Sequence, residues 1–574
     1  MLKNQELAQQ ILDSIKLAQQ SAMELSQAIE AENYTLAETI ADSLRDLLAT
    51  LRITDKQFSI KDPISNLTDC SDTLLDSLER LLRHIPQNHK KALHKIEFEL
   101  FPLLQSIYAF FYFYGCVYPN PKKMQHYYEH EKGLLNVNKY IECAERCGNY
   151  KYDLSIIVTA YNKLGYTKQC IESILKTIPN NLKYELILLN TGSTDGTKEY
   201  FESLNPTKQI DIKINSTRRA TGLAVYRIIE GEYIISFSND TIATENAIEN
   251  MLRCIKSDPQ IGYGVPATPN VGDPLQTFSE NYSTIEEMLR FAAHNNRYDP
   301  FRHEQRVFLA NPVTFFKSST FFKIGLLGNF FTNPKSPFGL SDHVRATFCR
   351  RSGYKIILAK DAYCHHYVML TRKDDIIAIN GEKEITSSRQ DFFRAFGIDP
   401  LFTGERPDIN LLPLIELLPF AQINILGVNT GLGSNPLKIK EQYKEEQHKL
   451  STTVYNVTDQ QNFMDDLRRV SDHVKCVKNI RCTFKMADEG FPNLFHHIII
   501  GTPLCTFRLK QNPMAYYKCI ANYKLIRNCI NHLEDNGSLY VNLGVNCNTR
   551  LQKLLMRILF PRSLFNGNWV RIKK

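Results

Sequence analysis

The residues able to do chemistry fall in short polar stretches at the ends of apolar runs. Thr159, Ala160, Tyr161 and Asn162 follow LSIIVT, and Asn190 to Gly196 (NTGSTDG) follow YELILL. A Gly-Ser-Thr-Asp-Gly turn lets backbone approach a ligand closely and leaves N–H groups free at a helix start, which suits a phosphate or a ribose. A plain strand-to-helix connection would have the same composition. Ser238, Asn239 and Asp240 close the run EYIISF and deliver a carboxylate where a hard cation bridging a diphosphate needs oxygen ligands. Capping of a helix over 241–255 would explain Asp240 equally well. Further on, SDHVRATFCRRSGYKIILAKDAYCHH places Asp342 at the head of a helical stretch and His365 and His366 after a strand. One acid and two imidazoles thus arrive at strand or helix ends.

The elements that must position them alternate. From Asp153 the strands LSIIVT, YELILLN, IDIKI and EYIISFS are separated by helical stretches such as YTKQCIESILK and DGTKEYFESL, a doubly wound α/β layout. In such open sheets ligands sit at the carboxyl ends of the strands, where these polar stretches lie. A second alternation opens with INILGVNTGLG at Ile423 and continues through TVYNV, HHIIIG and SLYVNLG. Leu7, Ile11, Ile15, Ala18, Ala22, Leu25 and Ile29 recur at helical steps near the start, and after a break at Glu32, Asn33 and Tyr34 so do Leu36, Ile40, Leu44 and Leu48. That spacing predicts a helical hairpin. The expected organisation is an α-helical region over 1–120, a solvated linker over 121–150, an α/β domain over 151–395, a Pro- and Gly-rich linker over 396–420, and a second α/β domain over 421–574.

Composition narrows the function classes. A chain of 574 residues with 43% hydrophobic and 23% charged residues is long enough for several cores and is not a disordered chain. The net charge of +8 is small for this length, so nucleic acid is not an expected partner. The 14 cysteines lack the two-residue spacing of zinc knuckles and read as reduced core thiols. No apolar run follows the N-terminus, so a cytoplasmic address is expected. Leu100 to Tyr118 carries no charge, but Pro102, Gln105, Gly115 and its tyrosines favour a buried aromatic helix over a membrane span.

The ordered set SIIVTAYN, CIESIL, ELILLNTGSTDGT, GEYIISFSNDT and the late SD with DAYCHH resembles the family 2 glycosyltransferases of GT-A fold, over 153–373. The flanking regions resemble a bacterial subgroup with a helical N-terminal region and a class I methyltransferase-like C-terminal domain. The resemblance implies an inverting transferase that moves a sugar from a nucleotide diphosphate donor to a glycan precursor or a protein acceptor. By the family pattern Thr159, Tyr161, Asn162 and Asn190, with Gly192 and Asn239 beside them, would bind the nucleotide sugar. Asp240 and His366 would hold a divalent metal, Mn2+ or Mg2+, Asp342 would be the base, and His365 would pack. Asn190 stands where the family usually has an acid, Ser238 replaces the first carboxylate of Asp-x-Asp, and Ser341 replaces the Glu of the Glu-Asp pair.

INILGVNTGLG is similar to a methyltransferase glycine loop in degraded form. Ile425 and Asn429 depart from its pattern, no acid closes the second strand at Val457, and the chain is expected to stop before the last strands. A degenerate domain acting through packing, against the transferase domain or a second copy, is therefore expected, and S-adenosylmethionine is not an expected cofactor. The basic end (Arg550, Lys553, Arg557, Arg562, Arg571, Lys573, Lys574) allows peripheral contact with the inner face of a membrane, though a solvated helix face explains it as well. The rival readings are a methyltransferase acting on a glycan and a non-catalytic sugar-binding scaffold.

Overall fold

The computed structural model describes residues 5–57, 150–212, 229–271, 273–277, 282–318, 341–351, 353–367, 404–448, 450–477, 490–501, 513–544 and 550–574, with scattered positions elsewhere. Helices α1 (Gln5–Glu30) and α2 (Tyr34–Gln57) form a hairpin, turned by Glu32 at φ 56° and capped where the Leu36 N–H donates to Asn33 Oδ1. Ile11, Ile15, Ala18, Ala22 and Leu25 are buried along α1, as a stripe at helical spacing requires. The expected linker over 121–150 and most of the aromatic stretch from Leu100 to Tyr118 lie outside the described residues. Among the described residues no helix is long and apolar enough to cross a membrane.

The first sheet is mixed. β1 (Tyr152–Ala160), β2 (Tyr184–Thr191), β3 (Lys208–Ile212) and β4 (Gly231–Ser238) are parallel, with β1 between β2 and β4. The sheet continues through β8 (Val313–Lys317), antiparallel to β4, then β6 (Ile261–Ala267), β9 (Lys355–His366) and the short β5 (Thr241–Ala243), while β7 (His303–Arg306) also pairs with β9. Along β1, Leu154, Ile156 and Val158 join one core and Ile157 joins the core on the other face, the period of two expected of a strand. Both faces are covered, which is why these strands read as continuous apolar runs. Helices α3 (Leu164–Thr177), α4 (Thr197–Ser203), α5 (Ala247–Ser257), α6 (Ile285–Asn295) and α7 (Ser341–Arg351) complete the layers. The helix expected over 241–255 begins only at Ala247, because Thr241 to Ala243 pair with Cys364 to His366 as strand. Asp240 therefore caps no helix.

The second sheet has seven strands: β10 (Ile423–Val428), β11 (Thr452–Thr458), β12 (His473–Cys476), β13 (Phe495–Ile500), β14 (Leu533–Asn542), β15 (Ser563–Asn566) and β16 (Trp569–Lys573). Their spatial order is β12-β11-β10-β13-β14-β16-β15, parallel up to β14 and antiparallel at β16. This corrects the expectation of missing last strands. SLFN and WVRIK are short but form a hairpin whose second strand adds to β14, with Trp569, Val570 and Ile572 buried. β11 also runs to Thr458, so Asp459 does follow its end. Helices α8 (Ser434–Gln447), α9 (Met464–Val470), α10 (Pro513–Asn531) and α11 (Arg550–Leu559) flank the sheet. At the basic end, Arg571 and Lys573 pair with Glu416 at 3.2 and 3.1 Å. Cys170, Cys254, Cys349, Cys364, Cys476 and Cys529 are free thiols, and burial pushes those of Cys170, Cys349, Cys364 and Cys529 up to about 12.

Candidate active site

The loops after β1 and β2 are stitched together. Asn162 and Lys163, both left-handed with φ of 51° and 63°, turn the chain from β1 into α3, and Gly192 and Gly196 do the same after β2 at 83° and 90°. The Asn162 N–H donates to Ser193 Oγ at 2.8 Å, the Thr194 N–H donates to Asn162 Oδ1 at 2.8 Å, and the Leu164 N–H donates to Asp195 Oδ2 at 2.7 Å. Thr159 and Tyr161 are half-buried beside this wall. Asn239 is buried, and its amide donates to the Asn162 carbonyl at 3.0 Å and to Thr167 Oγ1 at 2.9 Å. Asn162 and Asn239, two residues expected to bind nucleotide sugar, thus use these side-chain groups to brace the loop.

Asn190 is also buried. Its Oδ1 accepts the Ser193 N–H at 2.9 Å, and its Nδ2 donates to Asp211 Oδ1 at 3.0 Å. The pairing of β2 with β3 places Asn190 opposite Asp211, so an acid stands one strand away from the position where the family pattern has one. Sequence reasoning missed Asp211, whose only signal was its place in the third strand, IDIKI.

Asp240 and His366 are brought together by the antiparallel pairing of β5 and β9. The Asp240 carbonyl accepts the Tyr367 N–H at 2.9 Å, and Asp240 Oδ2 lies 3.6 Å from His366 Nε2. Both residues are largely buried, and His366 Nδ1 has no hydrogen-bond partner among the described residues. His365 engages a different set: its Nδ1 is 2.8 Å from Tyr282 Oη, and its ring meets Tyr367 edge-on. Burial first, and the neighbouring His366 second, push His365 down to about 4, so it is neutral at ordinary pH. One carboxylate and one imidazole at this spacing fit a divalent cation completed by phosphate oxygens and water. No group of three protein ligands occurs among the described residues.

Asp342 is half-buried in the first turn of α7. Gly353, at φ 97°, turns the chain from α7 into β9. The phenol of Tyr263 on β6 is held well above its usual value, by burial first, and the charge of Asp342 adds to that.

Residues 155–322 match the family model described as Glycosyl transferase family 2. This segment is a family 2 glycosyltransferase domain. The matched residues take in Thr159, Tyr161, Asn162, Asn190, Gly192, Asp211, Asn239 and Asp240, whereas Asp342 and His366 lie beyond them. Part of the chain is similar to part of a chondroitin synthase of Pasteurella multocida, 27% identical over 136 residues, which are 23% of this chain and 14% of that protein. It is also similar to the glycosyltransferase GlyG of Streptococcus pneumoniae, 29% identical over 108 residues, 18% of this chain and 35% of that protein. The chain therefore spans well under half the length of these curated relatives. Among solved structures, a mannosyltransferase from Pyrobaculum calidifontis in complex with GDP-Man and Mn2+ overlaps 44% of this chain and 66% of its own, at 16% identity and a TM-score of 0.29.

Proposed function

We propose that this glycosyltransferase moves a sugar from a nucleotide diphosphate donor to a hydroxyl of a glycan or protein acceptor, with inversion at the anomeric carbon. The observation that carries the reading is the convergence of Asp240 and His366, 3.6 Å apart, at the sheet end that also carries the stitched loops of a family 2 domain. In this reading Thr159, Tyr161, Gly192 and the Asn190–Asp211 pair face the nucleoside, and Asn162 and Asn239 keep that wall in shape. Asp240 and His366 would hold Mn2+ or Mg2+, which when bound offsets the charge gathering on the departing diphosphate. Asp342 accepts the proton of the acceptor hydroxyl as its oxygen bonds to the anomeric carbon and the bond to the diphosphate oxygen breaks on the opposite face. A single displacement of this kind inverts the centre and needs no covalent sugar intermediate.

The domain plan belongs to the same proposal: a helical region over 1–120, the transferase over 151–395, and a methyltransferase-like domain over 421–574 that does not use S-adenosylmethionine. Support for the last point is local. A Cβ on Gly501, just after β13, would stand 2.6 Å from Thr430 Cα and 2.7 Å from the Asn429 carbonyl oxygen, so the two strand ends close on each other where an open sheet keeps its crevice. The Ser434 hydroxyl at the head of α8 is bonded to the Gly404 carbonyl at 2.6 Å.

The test is a panel of UDP-, GDP- and dTDP-sugars, incubated with the full chain in Mn2+ or in EDTA and read as released nucleoside diphosphate. Release from one donor, lost in EDTA, is the expected result. Binding of S-adenosylmethionine with no nucleotide sugar bound or turned over would overturn it in favour of the methyltransferase reading.

A further inference from the structure

We infer that the C-terminal α/β domain positions helix α7, and with it Asp342, and that Glu405 and Asp466 are the positioning residues through which it acts. The inference rests on the reading of Asp342 as the base. Helix α7 lies between the two sheets: one side packs on β9 and the other on α9 of the C-terminal domain. His343, the neighbour of Asp342, has Nε2 2.9 Å from Glu405 Oε1, and its ring stacks on Phe308 with centroids 4.3 Å apart. Val344, the next residue, shares one core with Leu432, Leu437, Leu467 and Val470, all from the C-terminal domain. At the far end of the helix Arg350 donates through Nε to Asp466 Oδ1 at 2.9 Å, and Arg351 donates to Oδ2 of the same carboxylate at 3.1 Å. Asp466 is fully buried and Arg350 nearly so.

A helix pinned at its first turn and its last turn by groups of another domain cannot keep its position when that domain shifts. Glu405 is itself tied to the C-terminal domain, because the adjacent Gly404 carbonyl accepts the Ser434 hydroxyl. Glu405 and Asp466 both lie outside the matched segment 155–322, whereas Phe308, on which His343 stacks, and Val307, whose carbonyl accepts from Arg350, lie inside it, so α7 is held from both domains.

The experiment compares the full chain with Glu405→Ala, Glu405→Gln and Asp466→Asn. Hydrogen exchange of the α7 amides, with β1 and β4 as internal control, needs no donor and reads the positioning directly. Exchange in α7 is expected to rise about tenfold or more in Glu405→Ala and Asp466→Asn while β1 and β4 keep their protection. Glu405→Gln, whose amide oxygen still accepts from His343, should stay within about twofold of the parent. With the donor found in the panel, kcat should fall about tenfold in the two loosened variants while KM for the donor stays within about threefold. Unchanged α7 exchange in Glu405→Ala, or loosening of β1 and β4 to the same extent, would overturn the inference. Selective loosening of α7 in a chain that turns over no donor would leave the coupling standing and remove the reading of Asp342 as a base.

Discussion

Glu304 on β7 gives the most quantitative expectation, because it sits buried at the junction of the two sheets. Its Oε2 is 2.7 Å from Lys438 Nζ of α8, its Oε1 is 2.9 Å from an Arg306 nitrogen, and Lys360 Nζ is 3.8 Å away. Burial pushes its carboxyl upward, but Arg306, Lys438 and Lys360 outweigh that and hold it at about 2 against an ordinary 4.5. The folded chain therefore binds this proton less tightly than the unfolded chain does. The resulting stability is complete above the ordinary value and drains away as pH falls from about 4.5 toward about 2. Converted at the standard factor, the displacement is worth about 3 kcal/mol. Glu304→Gln should accordingly lose about 3 kcal/mol at neutral pH, and the gap to the parent chain should close as pH approaches about 2. Guanidinium unfolding followed by circular dichroism, repeated from neutral pH downward, measures both quantities. A gap that stays constant with pH, or one under about 0.5 kcal/mol at neutral pH, would show that the three cations do not hold Glu304 ionised.

Two further expectations bear on the fold and the site. A Cβ on Gly264 of β6 would stand 2.2 Å from Phe315 Cζ and 2.7 Å from the Ile357 carbonyl oxygen, so Gly264→Ala should destabilise the chain by about 1–3 kcal/mol, read as a shifted denaturation midpoint. If Asp240 and His366 share a cation, Asp240→Ala should weaken nucleoside diphosphate binding about tenfold or more in Mn2+ and hardly at all in EDTA. Isothermal calorimetry in the two buffers checks this, and equal losses in both would contradict it.

What the sequence made legible follows from what local pattern encodes. The strands of the first sheet are buried on both faces, so LSIIVT and ELILL stand out as apolar runs, and the polar stretches after them mark the carboxyl ends. Pairing across the sheet is not local. Nothing in NTGST indicates that Asn190 would face Asp211, because the register of β2 on β3 sets that contact. Likewise, Thr241 to Ala243 look like the start of the following helix until β9 is there to pair with them. The hairpin of β15 and β16 escaped notice because SLFN and WVRIK are short and half polar, and they qualify as strands through β14. The charges between the sheets were illegible for the same reason: Lys438 and Glu304 are ordinary surface residue types until docking buries both.

The central claim is that Asp342 removes the proton from an acceptor hydroxyl while a separate group of residues binds the donor. The most direct measurement is turnover by Asp342→Asn, with the donor found in the panel, alongside calorimetric binding of that donor in Mn2+. The account expects turnover to fall by about a hundredfold or more while donor affinity stays close to that of the parent chain. Near-parental turnover by Asp342→Asn would contradict it.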